Sequence, residues 1–108
     1  MNHTLTCPGC GEETLHHFEV VVFDRPDDAD TTYVTLVCGR FVHSYQAASE
    51  AVPNPSLRRG GVLIRFRCEC CPCVSVFRLA QHKGASLIAF EKANNQENEL
   101  PVPDRWEG

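Results

Sequence analysis

Long apolar runs, basic excess and helix-forming stretches are all scarce in this 108-residue chain. No segment approaches the roughly 18 successive apolar residues a membrane helix needs, so no membrane partner is expected. The opening Met1-Asn2-His3-Thr4-Leu5-Thr6 has no basic n-region and no apolar stretch, so no secretory signal is expected and the cytoplasm is the expected compartment. Coiled-coil heptads are missing, as are a nucleophile elbow, a phosphate-cradling glycine loop and a zinc-protease helix. Those absences remove the commonest enzyme signatures. Aromatic residues are only 8% of the chain, with a single tryptophan, so few rings are on hand to stack on bases.

What is present is the composition of a modest globular domain, 43% hydrophobic and 22% charged. The net charge of −4 conceals a segregation. Residues 12–30 carry Glu12, Glu13, Glu19, Asp24, Asp27, Asp28 and Asp30 against Arg25 alone. Residues 57–83 carry Arg58, Arg59, Arg65, Arg67, Arg78 and Lys83 against Glu69. An acidic molecule is not steered to nucleic acid by its overall field, but a local basic face can still hold phosphate. The bland alternative is that the basic stretch complements the acidic one within the molecule. The acidic stretch Arg25-Pro26-Asp27-Asp28-Ala29-Asp30 lacks the ligand spacing and glycine of a calcium loop and reads as a solvated turn.

Cysteine is the residue in excess. Seven is an odd number, which fits a metal site plus spare thiols better than a closed disulfide set in a reducing compartment. Cys7-Pro8-Gly9-Cys10-Gly11 is a tight knuckle whose amides can point at two sulfurs. A second pair lies within Cys68-Glu69-Cys70-Cys71-Pro72-Cys73. There both Cys68 with Cys71 and Cys70 with Cys73 have the two-residue gap. Entry from Phe66-Arg67 into Cys68, and exit from Cys73 into Val74, favour Cys68 and Cys71. Two such pairs supply four thiolates to one tetrahedral Zn²⁺ and leave no open position, which makes the ion structural. The Cys7–Cys10 spacing also occurs in thiol oxidoreductases, but that role expects a helix to open at the motif, and none is signalled after Cys10.

Around the knuckles the chain reads as strands. Leu15–Asp24 is rich in β-branched and aromatic residues. Tyr33–Val37 and Arg40–Tyr45 flank Cys38-Gly39, read as a hairpin turn with glycine second. Residues 46–51 have room for one helical turn before Pro53 and Pro55. Val62–Cys68 alternates, with Val62, Ile64 and Phe66 expected inward and Arg65 and Arg67 outward. Val74–Gln81 and Ser86–Phe90 pair across His82-Lys83-Gly84-Ala85 as a further hairpin. The expectation is an all-β domain over 1–91, about six antiparallel strands held by one metal, and a polar tail over 92–108 that frays. Trp106 is the exception in that tail, expected either to fold back on the body or to serve as a short anchor for a partner.

The Cys-Pro-Gly-Cys-Gly knuckle, the returning pair and the strand context resemble the zinc-ribbon fold, with a longer insertion between the pairs. More narrowly, Leu15-His16-His17, Asn54-Pro55-Ser56 with Arg58-Arg59, Ile64-Arg65-Phe66 before Cys68-Glu69, and Gln81-His82-Lys83-Gly84 are similar to small zinc-ribbon proteins of bacteria and phages. The likeness covers about residues 7–90. In that pattern the second knuckle reads Cys-Glu-x-Cys, which implies Cys68 and Cys71 as ligands. This chain departs from it with a cysteine in the gap and another at Cys73. The resemblance implies a fold and a metal, and no activity.

The functional expectation is a non-enzymatic binding module, an adaptor or regulator that presents a rigid β surface to a protein partner. Its metal ligands would be Cys7, Cys10, Cys68 and Cys71. The alternative is a nucleic-acid-binding ribbon using Arg58, Arg59, Arg65, Arg67 and Lys83, and a thiol redox protein is the remote third.

Overall fold

The computed structural model describes residues 3–93. The expected tail beyond Ala93, including Trp106, lies outside the described residues. Six strands form one antiparallel sheet: β1 (Leu15–Asp24), β2 (Thr31–Cys38), β3 (Phe41–Ala48), β4 (Gly61–Cys68), β5 (Val74–His82) and β6 (Ala85–Lys92). A single 3-10 turn, Ser49–Ala51, follows β3, and among the described residues no helix is long and apolar enough to cross a membrane.

The spatial order is β3-β2-β1-β4-β5-β6. Two three-stranded meanders therefore lie side by side, joined where β1 pairs with β4. The 49–60 connection carries the chain from one edge back to the middle. Its Ser49 hydroxyl donates to Ala29 O (2.7 Å), and its Ser56 hydroxyl donates to Gly60 O (2.6 Å) and accepts from the Gln81 amide (2.8 Å). Each bond satisfies a backbone group that would otherwise be stranded off the ladder.

Both β-hairpins of two residues turn with left-handed backbone. Lys83 and Gly84 have φ of 50° and 82°, the type I′ pattern whose twist matches the flanking strands. The first hairpin corrects the sequence reading. Cys38 pairs with Phe41, so the turn is Gly39-Arg40 with glycine first, at φ 62°. Only the first residue of that turn is left-handed, and glycine takes that conformation without a Cβ penalty.

The core lies on one face. Val21 and Phe23 of β1, Val34 and Leu36 of β2, Leu63 of β4 and Val76 of β5 are buried together, with Tyr45, Val52 and Ala93 packed against them. Because Val52 comes from the 49–60 connection, the covered face is the one that connection crosses. The opposite face is half open, and it holds Val62, Ile64 and Phe66. The expected facing of β4 is thus inverted: Leu63 and Arg65 point inward and are buried, while Val62, Ile64 and Phe66 are only partly covered.

Arg65 is tolerated inside because β1 supplies a counter-charge in register. Glu19 is its cross-strand partner, and Arg65 Nη1 lies 3.1 Å from Glu19 Oε1, with side chains 7% and 4% exposed. Desolvation raises the Glu19 pKa above its ordinary 4.5, opposed by the Arg65 charge. The folded carboxyl therefore holds its proton to higher pH than the unfolded one. This group's contribution to stability declines as pH rises from the unfolded pKa through the folded one. A half-broken pair is worse than none, since an uncompensated charge then stays buried. Arg65→Met alone is expected to cost about 3–5 kcal/mol, and Glu19→Leu with Arg65→Met to recover most of it. Urea titration of the two variants against the parent checks this.

Candidate metal centre

The two knuckles meet because of strand register. Leu15, just after the first knuckle, pairs with Cys68 at the end of β4. That single pairing closes a separation of 58 residues between Cys10 and Cys68. A backbone bond from Glu69 N to Thr14 O (3.0 Å) ties the second knuckle to the approach of β1.

Within each knuckle the backbone aims donors at sulfur. Gly9 N donates to Cys7 Sγ (3.3 Å), and Cys70 N donates to Cys68 Sγ (3.4 Å). The first turn is closed by Gly11 N to Cys7 O and Cys7 N to Glu12 O, both 2.8 Å. Gly11 has φ of 84°. That value accounts for a glycine directly after the second ligand.

Four sulfurs converge: those of Cys7, Cys10, Cys68 and Cys71 all lie within 4.8 Å of one another. The cross-knuckle distances are 3.7 Å for Cys7–Cys71 and 3.6 Å for Cys10–Cys68. A tetrahedron with metal–sulfur bonds of about 2.3 Å has edges of about 3.8 Å, so the cage has the right size for one ion. Of the two sequence candidates for the second pair, the structure therefore gathers Cys68 and Cys71. Cys70 instead turns to Thr14, with Sγ 3.5 Å from Oγ1 and an exposed position.

Cys73 has a different place, against the first knuckle. A Cβ added at Gly9 would sit 3.1 Å from Cys73 Cβ, 3.2 Å from its Sγ and 3.6 Å from Cys71 Sγ. The glycine of Cys-Pro-Gly-Cys thus leaves room for Cys73, whose Cβ and Sγ would both be tight against a side chain there. Cys38 ends β2 beside the Gly39-Arg40 turn and lines a cleft of about 480 Å³ together with His17, Phe18, Glu19 and Val37.

The electrostatics of the cage favour a cation. Burial pushes the Cys7 thiol up, but amides from Cys10 and Gly9 and the neighbouring thiols more than offset this, leaving it at about 6. At Cys10 the Glu12 amide acts to lower the pKa. Desolvation and the sulfurs of Cys68, Cys71 and Cys7 outweigh it and push the group to about 12. Crowded sulfurs resist a second negative charge unless a metal supplies the compensation.

The basic residues do not form a free face. Arg58 makes two bonds to Asp28 (2.8 and 2.9 Å), and Arg59 reaches Asp27 at 3.2 Å. The Arg58 guanidinium holds the Asp28 carboxyl below its usual range. Arg25 reinforces the clasp by donating to Ala29 O and Leu57 O. Arg65 is inside, on Glu19. Arg67 lies over the Phe18 ring, 4.2 Å from its centroid. Arg78 pairs with Glu91. Lys83 stands at the β5–β6 turn beside Arg58 and Arg59, where a shallow pocket is also lined by Gln81 and His82. The acidic and basic stretches of the sequence are therefore largely each other's partners. His16 and His17 are outside the sulfur cage: His16 pairs with Glu69, and His17 packs edge-on to Phe66.

Comparison with protein-family models, curated proteins and solved structures found no match to this chain.

Substitutions separate ligands from neighbours. Cys68→Ser or Cys71→Ser is expected to abolish stoichiometric metal retention, whereas Cys70→Ser leaves it intact, read by elemental analysis after dialysis. Gly9→Ala is expected to weaken retention, and Gly9→Ala with Cys73→Gly to restore part of it, because both the Cβ and the Sγ contact are then removed.

Proposed function

We propose that this protein is a non-enzymatic binding module of zinc-ribbon type, in which one structural Zn²⁺ on Cys7, Cys10, Cys68 and Cys71 fixes a β surface for a protein partner. The reading is carried by the sulfur cage, four thiols at tetrahedral spacing. Soft thiolate ligands in a tetrahedral set suit zinc among the common divalent ions. With all four positions taken by protein, the ion has no site for a substrate or an activated water, and its work is mechanical.

Two further observations support a binding role. The sheet face away from the core leaves Val22 (40%), Tyr33 (50%), Val42 (62%) and Ile88 (69%) exposed. The strand registers put all four on the same side. Exposed apolar residues gathered on one face mark interaction surfaces more often than isolated ones do. Meanwhile Arg58, Arg59 and Arg65 are engaged with Asp28, Asp27 and Glu19. That pairing weighs against phosphate as the ligand.

The expected metal content is one zinc per chain, and cobalt substitution should give the absorption of a tetrahedral tetrathiolate. Structural zinc sites contribute on the order of 10 kcal/mol or more to folding. Chelation is therefore expected to abolish cooperative thermal unfolding, followed by circular dichroism. A chelated chain that melts cooperatively at the same temperature would remove the structural role. Retention should also fall as the solution is acidified, since every ligand sulfur must be a thiolate to bind.

A further inference from the structure

From the geometry of the β6 edge, which no strand covers among the described residues, we infer that the protein forms a two-fold dimer by antiparallel pairing of β6 with the β6 of a second copy. The inference concerns a strand edge and stands apart from the metal reading.

Among the described residues no strand lies beyond β6 in the sheet order. Which of its backbone groups are unused follows from the turn. His82 and Ala85 flank the two-residue turn and so exchange both ladder bonds. Bonded pairs then alternate along β5 and β6, and the bond from Ala93 N to Val74 O (2.9 Å) continues that series. The N–H and C=O groups of Ser86, Ile88, Phe90 and Lys92 therefore point away from β5.

Sheet edges of this kind are usually blunted by charge, proline or a bulge. β6 has none of these from Ala85 to Phe90: it reads Ala-Ser-Leu-Ile-Ala-Phe-Glu-Lys and pairs with β5 without a register shift. It also exposes Leu87 (52%) and Ile88 (69%). Its charges, Glu91 and Lys92, sit together at one end. A parallel pairing in register would set Glu91 on Glu91 and Lys92 on Lys92. An antiparallel pairing carries the two charged ends apart.

Edge donors must face edge acceptors, so only registers that pair the even-numbered residues of one copy with those of the other are allowed. The one that uses all of residues 85–93 places Ile88 opposite Phe90 of the second copy and Ser86 opposite its Lys92, with the two Ala89 residues at the dyad. Shifting by two in one direction draws the left-handed Gly84 into the ladder. Shifting the other way sets Lys92 against Ile88.

The chosen register also joins the outer faces. Within one copy Val42, Val37, Val20, Ile64, Phe77 and Phe90 form a row across all six strands. Ile88 of the second copy extends it, followed by that copy's Leu79, Val62 and Val22. β-Branched residues opposite aromatic ones are favourable cross-strand pairs. The interface is isologous, so each such pair occurs twice.

Sedimentation equilibrium on the metal-loaded full chain tests this, across about 1 μM to 1 mM. A monomer–dimer equilibrium is expected. Ile88→Lys, at an exposed site, is expected to weaken it by about 10- to 30-fold, since the lost pair counts twice. Ser86→Glu, facing Lys92 of the other copy, is expected to tighten it about 3- to 10-fold at low salt, and Ser86→Lys to weaken it. Those two variants preserve the test if Ile88→Lys fails to fold. A wild-type chain that is monomeric throughout overturns the proposal, including the case where Ile88→Lys affects only capture of a different protein. A dimer that ignores Ile88→Lys overturns the edge, and equal effects of Ser86→Glu and Ser86→Lys overturn the register.

Discussion

The pairing of β1 with β4 is the contact on which the molecule depends. It joins the two meanders into one sheet, and its end pair, Leu15 with Cys68, sets the knuckles face to face. It also places Glu19 opposite Arg65, so a buried charge is met in register. A slip of one residue here would turn Leu63 outward, separate the charges and part the sulfurs at once. A bulge between His17 and Glu19 absorbs the mismatch between the ladder and the approach to the knuckle.

This pairing closes a long stretch of chain, and loop closure of that length is entropically unfavourable before contacts form. Among the described residues few buried side chains offset it. The buried cluster consists of Val21, Phe23, Val34, Leu36, Leu63 and Val76, each contributing on the order of 1.5–3 kcal/mol. The sulfur cage lies at the same end of β1 and β4 that the pairing brings together. Sheet and cage are thus coupled: the register sets the sulfur spacing, and an ion bound by the four sulfurs would hold the register.

Charge follows the same logic on a smaller scale. Exposed pairs such as Arg58 with Asp28 are each worth little. Their effect is positional, because they pin the turn after β1 to the connection before β4. The acidic and basic runs of the sequence are two sides of that clasp, and among the described residues nothing covers the outer apolar face or the β6 edge.

Much of this was legible in the chain. The period-two alternation and turn residues marked six strands, and spacing left two candidate second pairs, of which the strand entry at Cys68 favoured Cys68 and Cys71, the pair that the structure gathers with Cys7 and Cys10. Three matters were not legible. Gly39 was placed second in its turn, because a lone glycine does not tell type I′ from type II′. Arg65 was placed outward, because alternation gives two faces and no sign. Cys73 was a spare thiol until its contact with Gly9 explained why that position has no side chain. The sequence by itself determined which segments extend and narrowed the sulfurs that can share an ion to the first knuckle and one of two second pairs, since both are set by spacing along the backbone. Which face is buried, which charges meet and which edge stays open were decided by the tertiary structure. Those depend on where the 49–60 connection crosses the sheet, and that path is fixed by contacts between residues far apart in the chain.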